Sequence, residues 1–157
     1  MTPAIDAAKR ARISHKIHEY RHDPAAASYG IEAAQALGVV PERVFKTLLV
    51  SLNGDVKRLA VGIVPVVRQL DLKAIAVACG AKKAEMADTR EAERATGYVV
   101  GGISPMGQKK CLPTLIDSSA QGMDTVYVSA GRRGLEIELA PEDLQRLTRA
   151  RFAAIAR

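Results

Sequence analysis

The dipeptide Asn53-Gly54 stands between two apolar runs, "VFKTLLVSL" and "RLAVGIV", and it limits what this chain can fold into more than any other feature. Both central positions of a type I′ turn need positive φ, which Asn and Gly adopt most readily, so the segment predicts a β-hairpin. A two-residue turn sets Leu52 opposite Asp55. Counting back predicts Val50 opposite Lys57, Leu48 opposite Leu59 and Lys46 opposite Val61. Side chains alternate between faces along a strand, so Lys46 shares its face with Leu48 and Val50. An ammonium group in such surroundings loses hydration. Either Lys46 snorkels past the rim of the sheet, or it lines a polar pocket.

The flanking segments supply the other elements. Thr2-Pro3 caps and starts a helix to about Arg10. "ISHKIHEY" alternates like a strand, and "GIEAAQAL" reads as a helix stopped by Gly38. A helix from about Asp71 ends at Gly80, and "KKAEMA" reads as a short strand. Asp88 caps an acidic-first helix that Gly97 ends. "TLID", "TVYVSA" and "LEIEL" read as strands, and Pro141 opens a final helix to about Arg149 that the last residues extend. These elements lack regular βαβ repetition. The expected fold is α+β, with a mixed, mainly antiparallel, barrel-like sheet and peripheral helices. At 157 residues, positions 1–157 are expected to form one domain.

With only two Phe, four Tyr and no Trp, the chain is poorly suited to stacking single-stranded bases. A formal net charge of +6 suits a polyanionic partner. The two cysteines, Cys79 and Cys111, form no C-x-x-C pair or zinc constellation, which fits a reduced, cytoplasmic protein. No signal-peptide core or membrane-length apolar stretch is evident, so no membrane association is expected. No metal and no cofactor are expected. His15, His18 and His22 lie close together, but no acidic or cysteine ligand set accompanies them, so they read as surface or hydrogen-bonded structural histidines. Cys111 follows two lysines that would favour its thiolate, yet no base is placed beside it, and it reads as incidental.

The segment Gly101-Gly102-Ile103-Ser104-Pro105 is the second anomaly. Adjacent glycines let the backbone approach a ligand closely, with amides free to hold a carbonyl or oxyanion. The alternative is a tight turn. Glu136 and Glu138 alternate with apolar residues, either as outward carboxylates or with one facing a pocket.

Together, "VFKTLLV", "ATGYVVGGISPMGQKK", "LPTLID" and "GRRGLEIEL" resemble the YbaK family of free-standing aminoacyl-tRNA editing proteins. "MTPAI" and "EYRHDP" fit as well. The resemblance covers nearly the whole chain and is to the branch that deacylates Cys-tRNA(Pro). It implies a trans-editing deacylase that clears cysteine from mischarged tRNA(Pro), recognises the tRNA acceptor end and works with prolyl-tRNA synthetase. The acceptor stem is a polyanion, so Lys109, Lys110, Arg132 and Arg133 become candidate phosphate contacts, the alternative being a solvated surface. By this resemblance Lys46 is the essential lysine. Gly101 begins a G-x-x-x-P loop whose amides, at Gly101, Gly102, Ile103 and Ser104, would hold the ester. Tyr20, Tyr29, Thr47 and Ser129 fall at pocket positions. Glu136 falls where close relatives tend to carry Asp, a departure of one methylene. The implied chemistry is attack by the substrate's own thiol on its ester, giving a cyclic thiolactone. Two other readings are an editing deacylase for alanyl- or seryl-tRNA, and a non-catalytic tRNA- or synthetase-binding module. A monomer is the default oligomeric state.

Overall fold

The structure, a computed structural model, describes residues 1–24 and 29–157, with Tyr29 described in its main chain only. Eight strands among these residues form two open sheets: β1 (His15–Glu19), β2 (Phe45–Leu52), β3 (Asp55–Pro65), β4 (Ala84–Met86), β5 (Thr114–Asp117), β6 (Val126–Arg132), β7 (Leu135–Leu139) and β8 (Arg151–Ala153). One sheet runs β1-β7-β6 and the other β4-β2-β3-β5-β8. Pairing is mainly antiparallel, with β3-β5 and β5-β8 parallel. The α+β, mainly antiparallel expectation therefore holds, but neither sheet closes. The two meet at a parallel bridge between Val44 and Tyr127.

Among the described residues, five helices surround them: α1 (Pro3–Arg10), α2 (Tyr29–Leu37), α3 (Leu72–Ala78), α4 (Thr89–Thr96) and α5 (Pro141–Thr148). The Thr2 hydroxyl accepts from the Ile5 amide at 3.2 Å, and the Asp71 carboxylate accepts from the Ala74 amide at 3.0 Å. Asp88 caps α4 through the Arg90 and Glu91 amides, and Gly97 closes it in the left-handed conformation at φ 82°.

β3 reads as a nearly unbroken apolar run because both its faces are covered. Leu59, Val61 and Ile63 face the main core, which Val128, Ile137 and Leu144 complete. Ala60 and Val64 face a second core with Ile75 of α3 and Ile155.

Two expectations are corrected. The turn pairs Leu52 with Asp55, but the ladder then skips to Ser51–Leu59. Val56, Lys57 and Arg58 bulge outward and are exposed. Lys46 consequently opposes Val64, not Val61. The final residues do not extend α5. Arg149 turns left-handed at φ 56°, and the chain returns as β8 beside β5. The buried Asp117 carboxylate holds it there by accepting from the Ile155 and Ala156 amides at 3.0 and 2.9 Å.

Candidate functional site

β4 covers only the Val50–Leu52 end of β2. The Leu49 carbonyl accepts from the Ala87 amide at 3.0 Å, while the Val44 carbonyl accepts from Val66 on the opposite side at 2.9 Å. Alternate residues of a strand direct their main-chain groups to opposite edges. Thr47 therefore points its own N–H and C=O along the uncovered edge, and a cavity of about 430 Å³ opens there. Its walls come from this edge, the β6–β7 sheet, the start of α4 and the glycine loop.

Of the residues expected at the site, Tyr20, Lys46, Thr47, Gly101, Ile103, Ser129 and Glu136 all line this cavity. Gly102 and Ser104 do not. Gly102 is buried against β6, and its amide donates to the Val99 carbonyl at 2.9 Å. A Cβ on Gly102 would lie 2.7 Å from the Arg132 Cα. The amide expected to hold an ester is thus spent inside the loop, where Gly102 serves as a point of close packing. Ser104 is fully buried, and its hydroxyl accepts from the Met106 amide at 3.2 Å. The Tyr29 side chain, also expected in the pocket, lies outside the described residues, although its neighbour Gly30 lines the cavity.

Lys46 is half-buried, and its ammonium has no hydrogen-bond or ion-pair partner among the described residues. Burial pushes its pKa down, with no carboxylate to offset the effect. Glu136 is only 7% exposed, and burial pushes its carboxyl up to about 8. Near neutrality it is mostly protonated, so it can donate a hydrogen bond as well as accept one. Glu138, two residues on, behaves differently. Burial opposes its ionisation, but hydrogen bonds from Thr125 and His18 outweigh it and lower the pKa. His18 Nε2 lies 2.9 Å from Glu138 Oε1. His22 Nδ1 lies 2.8 Å from Glu32 Oε1, and His15 Nδ1 bonds the Ile13 carbonyl at 2.7 Å. The histidines are hydrogen-bonded structural residues, and no group of three or more metal-ligating side chains occurs among the described residues.

The Thr47 hydroxyl is buried without a hydrogen-bond partner among the described residues. The Ser129 hydroxyl accepts from the Gly131 amide at 3.2 Å, at the bulge where β6 and β7 shift register. That bulge also brings Arg132 and Arg133 to the wall. Sequence reading set them apart as possible phosphate contacts. It missed Met86, Ala87 and Thr89, which arrive from the β4–α4 corner. The only signal for them was the Asp88 cap, which turns the chain there.

Residues 23–147 match the aminoacyl-tRNA editing domain family. The chain belongs to that family. EbsC of Enterococcus faecalis, whose name is that of a Cys-tRNA(Pro)/Cys-tRNA(Cys) deacylase, is 44% identical over 122 residues, 78% of this chain and 73% of EbsC. Among solved structures, one described as a trans-editing enzyme for prolyl-tRNA synthetase superposes with a TM-score of 0.81 at 24% identity, covering 100% of this chain and 99% of that one. A hypothetical protein superposes with a TM-score of 0.86 at 22% identity, covering 99% of each chain. At these identities the two structural matches establish the editing-domain fold. No helix among the described residues is long and apolar enough to cross a membrane.

Proposed function

We propose that this chain is a trans-acting deacylase that removes cysteine from mischarged tRNA, above all Cys-tRNA(Pro), with Lys46 as its essential cation. The observation that carries the reading is the Lys46 ammonium, without a partner among the described residues, in a cavity shared with Gly101 and Ile103. EbsC, named for this activity, supports the choice of cysteine.

Among the described residues, the lining contains no cysteine or histidine, so it offers neither a Cys–His nor a Ser–His pair. Cys111 is exposed and lies outside the lining. A substrate that carries its own nucleophile fits such a site. The cysteinyl thiol attacks the ester carbonyl, a carbon–sulfur bond forms, and the carbon–oxygen bond to the terminal ribose breaks. The thiol proton passes to the departing ribose hydroxyl. Water then opens the thiolactone to cysteine. Tethering supplies much of the acceleration, since effective molarities of roughly 10⁵ M or more are reached in well-oriented cases. Lys46 stabilises charge at the carbonyl or terminal-adenosine end, and Gly101 and Ile103 offer main-chain donors. Protonated Glu136 and Tyr20 bound the amino-acid end. Thr47 and Ser129 complete the wall, and Tyr29 belongs to the same expected set.

The partner class is aminoacyl-tRNA. A prolyl-tRNA synthetase is the partner that selects the tRNA, because a cavity of this size takes only the aminoacylated terminus.

The test is deacylation of Cys-tRNA(Pro), with and without prolyl-tRNA synthetase, by wild type and Lys46→Ala. Wild type should deacylate, and the folded variant should lose at least 10²-fold, the loss typical of removing one preorganised electrostatic contact. A serine-charged analogue should react poorly, because it lacks the thiol. Full activity in Lys46→Ala removes the assigned role. Equal rates on Ser-tRNA or Ala-tRNA move the chain to another editing specificity. Binding without turnover makes it a binding module.

A further inference from the structure

A second, smaller cleft of about 70 Å³ lies across α4 from the cavity. Thr89 and Ala92 of α4 face the cavity, while Glu91, Arg94 and Ala95 face the cleft. Lys57 from the β3 bulge and Lys110 from the segment after the glycine loop complete its cationic wall, with Leu59 and Leu112 beneath. Glu91 is the one carboxylate in the lining, and it sits 3.3 Å from Arg94. Lys57 and Lys110 have no ion-pair partner among the described residues.

The backbone at these lysines is hydrogen-bonded in place. The Lys110 amide donates to the Ala95 carbonyl at 3.0 Å, and the Lys109 amide to Thr96 at 2.9 Å. The Lys57 amide donates to the Asp55 carboxylate at 3.0 Å. Lys57 reaches the cleft because the ladder skips residues 56–58; in the register expected from the turn alone it would have paired with Val50 inside the sheet. From Ala92 to Ala95 the axis of α4 advances about 5 Å. The cavity and the cleft therefore lie on two faces of one helix about 10 Å across, close enough for one bound strand to touch both.

We infer that the cleft of Lys57, Arg94 and Lys110 grips the phosphate backbone of the tRNA acceptor helix, as a second anchoring point beside Arg132 and Arg133 at the cavity. This rests on the proposed function for the identity of the RNA. It divides the basic residues into two sets, those at the cavity wall and those beyond α4, and brings in Lys57 and Arg94, which sequence reading had not singled out.

The test is binding of uncharged tRNA(Pro) between 50 and 300 mM KCl, together with turnover on a short aminoacylated CCA trinucleotide. The variants are Lys57→Gln/Lys110→Gln and, as a charge-matched control, Lys82→Gln/Lys83→Gln. Lys82 and Lys83 lie outside the cleft lining, and Lys83 sits 3.8 Å from Glu85. Each lost phosphate contact lowers the slope of log K against log[salt] by about 0.7–0.9. The cleft variant should therefore lose about 1.4–1.8 from the slope while the control stays near wild type, and both should turn over the trinucleotide normally. Equal slopes in the two variants, or slowed turnover of the trinucleotide by the cleft variant, overturn the inference. If the slope falls but no aminoacyl substrate is cleaved, the cleft stands and the editing reading fails. If cleavage persists and the slope is unchanged, the reverse holds.

Discussion

Gly102→Ala isolates the contact that joins the glycine loop to the β6–β7 bulge. The added methyl would sit 2.7 Å from the Arg132 Cα and 3.2 Å from both the Arg132 carbonyl carbon and the Arg133 nitrogen. All three are backbone atoms, so no side chain can swing aside. Reaching ordinary contact at 3.4 Å requires the loop and bulge to separate by about 0.7 Å. Overpacking of this kind costs about 1–3 kcal/mol. For a chain of this length each kcal/mol lowers Tm by about 2–4 °C. The displacement is passed to Gly101 and Ile103 on one side and to Arg132 and Arg133 on the other, all at the cavity wall. Misplacing reacting groups by about 1 Å can cost 10²-fold in rate, so kcat should fall at least tenfold. The comparison is Gly38→Ala. Gly38, unlike Gly102, has a positive φ, 67°, but nothing lies within 4 Å of the new methyl. That variant should lose about 1–2 kcal/mol from backbone strain and keep its rate. Thermal melts and Cys-tRNA(Pro) deacylation on both variants decide the matter. A Gly102→Ala protein that melts lower but deacylates at the wild-type rate refutes the link between loop packing and catalysis.

Glu136→Gln should change how stability depends on pH. The folded-state pKa of Glu136 is raised to about 8 by burial, so between about 4.5 and 8 the folded state holds a proton that the unfolded state releases. Stability falls as pH rises across that window, by an upper bound of about 5 kcal/mol at ~1.4 kcal/mol per unit. Denaturant midpoints from pH 4 to 8 should fall in wild type and stay flatter in the variant; parallel curves refute the assignment. Asp117→Asn tests the opposite sign. Burial disfavours the Asp117 carboxylate, but hydrogen bonds from Ser119, Ala156 and Ile155 outweigh it and depress the pKa. Its stabilisation is complete above the unfolded value of about 3.8 and is lost as pH falls through the folded one. The variant should therefore show a shallower stability loss below pH 4 than wild type, and an unchanged acid slope would remove Asp117 as the source.

Much of the fold was legible from local signals. Thr2 and Asp88 cap the helices they were expected to cap, the helix expected from about Asp71 begins there, and Asn53-Gly54 places the turn where expected. The register was not legible, because it is set elsewhere. Leu59, Val61 and Ile63 are committed to one core and Ala60 and Val64 to the other, and the exposed Val56–Arg58 segment takes up the difference. β8 escaped notice because three residues carry too little pattern. A buried carboxylate at Asp117 pulls that strand into place, and the contact becomes visible only once the chain has folded. At the site, Lys46, Gly101 and Glu136 were readable as anomalies: a cation among apolar residues, paired glycines and a carboxylate in a strand. Their convergence was not readable, nor was the diversion of Gly102 and Ser104 into the interior of the loop.

The uncovered stretch of β2 has a cost as well as a use. A groove that presents free main-chain groups to a ligand offers the same groups to any foreign extended segment, and β4 shields only half of it. Occupancy by substrate would therefore also guard the sheet against edge-to-edge association, and the empty protein should be the more aggregation-prone form.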